Sequence, residues 1–178
     1  MSRHIVVTEF VTLDGVMEDP GGAEGTPFGG WAFKFERGEA GNRFKLDELL
    51  AADAQLLGRK TYEGFAAAWP SITDDQGFAE KMNSMPKYVV SSTLTEPTWN
   101  ATAIGLEEVE DLEGNLLVAG SHQLVQTLLE HKLVDEVRLV LYPTALGAGK
   151  KLFEVPVDFT LTSAEPSDQV VLLTYARV

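Results

Sequence analysis

Apolar positions along the chain follow two periodicities, and the switches between them mark out the elements. Residues 3–11 are rich in β-branched side chains that alternate with polar ones, which predicts a strand. Phe44, Leu46, Leu49 and Leu50 recur at roughly helical spacing and predict an amphipathic helix over 39–52. A short apolar run at 53–57 predicts a second strand, and 61–68 a helix that Trp69-Pro70 stops. A short helix is expected at 75–83, a strand ending in hydroxyls at 87–92, a weak strand at 101–104 and a weak helix at 106–112. Asn115-Leu116-Leu117-Val118-Ala119 is almost purely apolar, the pattern of a strand buried on both faces. Gly120-Ser121 then opens a helix through Leu124, Val125, Leu128 and Leu129. A strand at 136–142 runs into Pro143, and 159–164 with 170–176 predict a terminal antiparallel pair. The order indicates an α/β fold: a mostly parallel central sheet flanked by helices, with an antiparallel C-terminal strand pair.

No repeat or low-complexity linker interrupts this order, and 178 residues suit one domain spanning 1–178. Between the first strand and the first helix lies a long loop rich in glycine and proline, a length typical of lids and binding loops. Its aromatics Phe28, Trp31, Phe33 and Phe35 either pack the loop down or line a pocket. A formal net charge of −13 argues against nucleic acid and anionic membrane as partners. The absence of cysteine excludes disulfides, thiolate metal sites and cysteine nucleophiles, and three dispersed histidines give no metal centre. The chain shows no signal peptide and no apolar run able to span a bilayer, so a cytoplasmic protein is expected.

In open α/β sheets ligands gather beyond the carboxyl ends of the strands, and three such ends carry suitable chemistry. The first is Gly58-Arg59-Lys60-Thr61. Here Thr61 is a plausible N-cap, and a helix dipole plus two cations suit a phosphate. The second is Ser91-Ser92-Thr93, three successive hydroxyls able to bond phosphate or ribose. The third is Ala119-Gly120-Ser121-His122, again strand, glycine, helix. Neither the Rossmann fingerprint nor a Walker loop is present: Gly147-Ala148-Gly149-Lys150 has Thr144 where the first glycine belongs and Lys151 where Ser or Thr belongs.

Thr12-Leu13-Asp14-Gly15, Leu57-Gly58-Arg59-Lys60-Thr61-Tyr62-Glu63, Val89-Val90-Ser91-Ser92-Thr93-Leu94, Ala119-Gly120-Ser121, Leu133-Val134-Asp135-Glu136 and Gly147-Ala148-Gly149-Lys150-Lys151-Leu152-Phe153 occur in this order. Together they resemble the dihydrofolate reductase-like superfamily, most closely the reductase domain of the riboflavin-biosynthesis deaminase/reductase and its stand-alone relatives. The resemblance implies a dihydrofolate reductase-like sheet that binds NADPH. It implies Gly58, Arg59, Lys60 and Thr61 at the phosphates, and Ser91, Ser92 and Thr93 by the adenosine ribose and its 2′-phosphate, with Arg59 as charge partner. Ala119, Gly120, Ser121, His122 and Gln123 would approach the pyrophosphate and nicotinamide. Gly15 and Val16, with Leu13 and Asp14, would form the loop over the nicotinamide, and Leu13, Trp31 and Phe33 would wall the substrate pocket.

The implied reaction is hydride transfer to a C=O or C=N carbon of a ribosylaminopyrimidine- or pterin-like substrate. The carboxylate that serves the pterin in dihydrofolate reductases would fall at 40–42, where no acid stands. Asp14 is therefore the candidate proton source, against the plainer reading of a turn residue bonded to local N–H groups. Lys34, Arg37, Lys150 and Lys151 are cations available to a substrate phosphate. The family tends to form homodimers through the sheet edge. The alternative function is an NADPH- or nucleotide-binding module without catalysis.

Overall fold

A computed structural model describes residues 2–178. Eight strands form one sheet: β1 (Arg3–Val11), β2 (Ala54–Gly58), β3 (Lys87–Val90), β4 (Ala101–Ile104), β5 (Gly114–Val118), β6 (Glu136–Leu141), β7 (Phe159–Ser167) and β8 (Val170–Arg177). Their spatial order is β4-β3-β2-β5-β1-β6-β8-β7. The first six strands run parallel, and only β8 and β7 are antiparallel to their neighbours. Helices α1 (Gly38–Ala51), α2 (Arg59–Ala68), α3 (Phe78–Ser84) and α4 (His122–Glu130) cover the two faces.

Side-chain alternation decides which helix covers which face. Val6 and Leu117 meet Leu49 of α1, Met82 of α3 and Phe65 of α2 on one face, where Leu57 and Val89 also pack against Tyr62 of α2. Ile5, Val7, Leu56, Leu116 and Val118 point the other way, against Leu124, Val125, Leu128 and Leu129 of α4. The neighbouring strands β2 and β5 therefore send their helices to opposite faces. That divergence opens a crevice at their carboxyl ends, the position where such sheets hold ligands.

Four local expectations are corrected. The second helix begins at Arg59 with Gly58 at its N-cap, so Thr61 lies in the first turn and does not cap it. Residues 106–111 form a 3-10 helix, and β7 runs on to Ser167. In α1 the inward face takes only part of the Phe44, Leu46, Leu49, Leu50 stripe: Leu49 is buried and Phe44 packs against the core. Leu50 is 48 % exposed, while Glu48 is buried and receives Arg138 from β6 (Nε–Oε2 2.8 Å) and Lys45 (Nζ–Oε1 2.5 Å). An ion pair that turns inward looks like a solvated face in sequence.

Candidate functional site

The turn from β2 into α2 is built for close approach. A Cβ on Gly58 would lie 2.2 Å from the Ser121 hydroxyl oxygen, and one on Gly120 would lie 2.8 Å from the Thr61 hydroxyl oxygen. Only glycine lets the β2 and β5 turns touch in this way, and Gly120 also has a left-handed φ of +104°. The first-turn N–H groups of α2 have no side-chain cap, and no acidic residue stands among them. Arg59 and Lys60 are exposed there instead. Cations at the positive end of a helix dipole are unfavourable unless an anion joins them, so this terminus is poised for phosphate.

The hydroxyl run at the end of β3 comes to the same place. The Arg59 guanidinium donates to the Thr93 hydroxyl through Nη1 and to Glu63 through Nε (2.8 Å). The Ser91 hydroxyl oxygen accepts the N–H of Thr93 (3.2 Å) and of Leu94 (3.1 Å), which fixes the turn, and Ser92 is exposed beside it. Arg59 thus stands against the hydroxyl run at the end of β3.

On the β5 side, Ser121 caps α4 by accepting the Leu124 N–H (3.4 Å). The His122 ring is occupied, with Nε2 3.0 Å from the Lys151 carbonyl oxygen and 3.1 Å from Glu154 Oε1. His122 thus ties α4 to the segment around Lys151, while Gln123 is exposed and Ala119 half-buried.

The loop after β1 is anchored at many points to 144–152. Leu13 N–H donates to the Thr144 carbonyl (2.8 Å), Met17 N–H to Lys150 (2.9 Å), and Leu152 N–H to Gly15 (2.9 Å). Val16 is buried and bridges to Lys151, Gly15 takes a φ of +81°, and Leu13 is 63 % exposed. Asp14 does not suit the role of proton source. Its carboxylate accepts the Thr12 hydroxyl (2.5 Å) and the N–H groups of Gly147 (2.7 Å) and Leu146 (3.2 Å). The Thr12 hydroxyl foremost, then these amides, holds its pKa down to about 2. An acid ionised at neutral pH has no proton to give, so Asp14 is the turn residue of the plainer reading.

Of the two aromatics expected to wall the pocket, Trp31 lies in the core and Phe33 on the surface. Trp31 is fully buried against Tyr142, with its indole N–H on the Glu18 carbonyl (2.9 Å), and is core; Phe33 is 81 % exposed. The loop itself is folded around Asp19, whose carboxylate accepts the N–H groups of Glu24 and Thr26 (both 3.0 Å) and the Thr26 hydroxyl (2.8 Å). Burial alone would raise this acid, but the converging donors outweigh it and lower its pKa.

One residue was missed. Glu9 shares the apolar face of β1 with Ile5, Val7 and Val11. Its Oε1 is buried with no hydrogen-bond partner, although the residue as a whole is half-buried. Desolvation raises its pKa to about 8, with Lys45 opposing and Glu48 reinforcing the shift. The available signal was an acid in the inward register of an alternating strand. Among the described residues, no cluster of three or more His, Cys, Asp or Glu could hold a metal, and no helix is long and apolar enough to cross a membrane.

The model of the RibD C-terminal domain matches residues 3–173. The chain belongs to the RibD C-terminal domain family. It is 32% identical over 161 residues to the uncharacterized protein YyaP of Bacillus subtilis, covering 85% of this chain and 80% of that one. Its fold is similar to a protein named for riboflavin biosynthesis from Shewanella sp. PV-4, with a TM-score of 0.75, 22% identity and coverage of 100% and 99%. It is also similar to a dihydrofolate reductase from Enterococcus faecalis solved with NADP(H), with a TM-score of 0.57, 14% identity and coverage of 98% and 96%. This member of the RibD C-terminal domain family thus has a dihydrofolate reductase-like fold.

Proposed function

We propose that the chain is a single-domain, cytoplasmic, NADPH-dependent reductase. It transfers a hydride to the C=O or C=N carbon of a small heterocyclic or sugar-derived substrate of the ribosylaminopyrimidine-phosphate or pterin class. The observation that carries this is the uncapped, doubly cationic start of α2, pressed against both the Ser91–Thr93 hydroxyls and the Gly120 turn. Gly58, Arg59, Lys60 and Thr61 would take the phosphates. Ser91, Ser92 and Thr93 with Arg59 would take the ribose and its 2′-phosphate, which an arginine fork suits. The backbone of Ala119, Gly120, Ser121, His122 and Gln123 would follow the pyrophosphate toward the nicotinamide, with Leu13, Asp14, Gly15 and Val16 above it.

The bound cofactor supplies the hydride, and the protein supplies position and electrostatics. Among the described residues β7 exposes most of its side chains and pairs only with β8, so two copies would associate through this unprotected edge. The test is calorimetric titration with NADPH and NADH. NADPH is expected to bind at least tenfold more tightly, and equal affinities would overturn the 2′-phosphate assignment. The alternative, a nucleotide-binding module without turnover, draws support from the engagement of Asp14. Steady oxidation of NADPH with any ribosylaminopyrimidine or pterin substrate would eliminate it.

A further inference from the structure

The last residue of β1 paired with β5 is Val7, opposite Val118, where β5 ends. Glu9 stands two residues further along the same face, level with residue 120 and facing the space where the chain turns into α4. Strand β6 continues beside it, with Leu139 as its partner. Its surroundings are apolar: Val7, Val11, Met17, Leu139 and the buried start of α4 share one cluster. Glu9 therefore lies toward the carboxyl end of the sheet, on the strand next to the β2–β5 crevice, with one oxygen sealed from solvent and unpartnered while the residue keeps some exposure.

The geometry points to Glu9 as the proton donor of the reduction proposed above. The substrate carbon receives the hydride from the dihydronicotinamide. The π pair of its C=N or C=O bond moves to the heteroatom, and that atom takes the Glu9 proton. Glu9 is left as a carboxylate and is reprotonated from water once the product leaves. An acid poised near the working pH suits this task, and burial in the apolar cluster keeps Glu9 protonated at neutrality. The charged groups on neighbouring elements are spoken for. Across the sheet Lys45 and Glu48 bond each other, His122 engages Glu154, and Asp14 and Glu18 accept backbone N–H groups of the 146–150 turn.

The inference rests on the cofactor reading, and its test separates the two. The oxidised nicotinamide carries a positive charge that the reduced ring lacks, and a nearby positive charge lowers the pKa of a carboxyl. At pH 7, NADP+ binding to the wild-type protein is expected to release most of a proton per site, and NADPH binding none. Glu9→Gln should bind both nucleotides and release none with either. In parallel, carbon-13 NMR of glutamate-labelled protein should show one carboxyl that titrates near pH 8 and is missing from Glu9→Gln. Binding of both nucleotides to the wild type without this difference in proton release overturns the donor role alone. The same release from Glu9→Gln overturns it too. Binding of neither nucleotide overturns the cofactor reading and the donor role with it. The wild-type comparison needs no variant, so a poorly folded glutamine form would not spare the proposal.

Discussion

The two faces of strand β1 each meet a carboxylate, Glu48 of α1 on one and its own Glu9 on the other, and their treatment differs. On one face, Glu48 from α1 is fully served: Lys45 and Arg138 hold its two oxygens, and the Thr8 hydroxyl donates to Oε1 (2.7 Å). The Lys45 ammonium also reaches the Thr8 oxygen (2.7 Å) and stacks over Phe10. On the other face, Glu9 has an unpartnered oxygen in an apolar setting. A buried acid whose demands are met is a structural fixture, and one whose demands are unmet is held against its own preference. Such residues persist where function requires them and stability does not.

The largest effect is expected where the satisfied network is broken. Glu48→Ala would leave Lys45 without its carboxylate and Arg138 with only its longer contact to Glu136 (3.7 Å), both in a partly buried site. Losing one partner of such a pair costs about 3–5 kcal/mol, to be read as a drop in the urea midpoint. A loss under about 1 kcal/mol would mean that the network behaves like a surface pair, and the contrast with Glu9 would dissolve.

Glu9 predicts the opposite sign. Its folded-state pKa is raised from 4.5 to about 8, so between those values the folded protein keeps a proton that the unfolded chain has lost. Wild-type stability is therefore undiminished below pH 4.5 and falls as pH rises through 8. Glu9→Gln has no such term. Its denaturation curve should match the wild type's pH trend only in acid and become about 2 kcal/mol more favourable by pH 8, after discounting for the half-exposed position. Parallel stability–pH curves for the two proteins would remove Glu9 from the comparison. A variant that is more stable and less active would be the signature of a residue kept for chemistry.

What could be read in the sequence follows the same division. The sheet, its helices and the antiparallel end were legible because strand alternation and helical spacing follow from which faces are buried. The convergence of Gly58, Ser91 and Gly120 was legible because strand ends in such a sheet share one edge. Glu48 was not, because an ion pair turned inward presents the same letters as one turned to water. Nor was Trp31, since an aromatic in a loop packs inward or lines a pocket according to tertiary contacts such as its edge on Tyr142. Glu9 went unseen because its meaning lies in what it lacks, a partner.

Arg59 tests the unmet side of the comparison at the α2 terminus. Its ion pair with Glu63 is about half exposed, and such pairs contribute little. Arg59→Ala should therefore leave the urea midpoint within about 0.5 kcal/mol yet weaken NADPH binding roughly tenfold, with NADH binding much less affected. Equal losses for both dinucleotides would place Arg59 at the shared pyrophosphate instead of the 2′-phosphate.

The smallest effect, and the cleanest control, is Asp14→Asn. Asp14 resembles Glu48 in having its demands met, here by one hydroxyl and two amides of the 146–147 turn. Its folded-state pKa lies below the unfolded value of 3.8, at about 2. Its contribution to stability is therefore present above pH 3.8 and lost as pH falls through 2. The amide should lower the melting temperature slightly at neutral pH, and the gap should close in acid. It should leave the NADP+-linked proton release of the wild type intact, because that proton belongs to Glu9. If Asp14→Asn abolished the release and Glu9→Gln did not, the two carboxylates would have to exchange roles, and the turn after β1 would be the acid site after all.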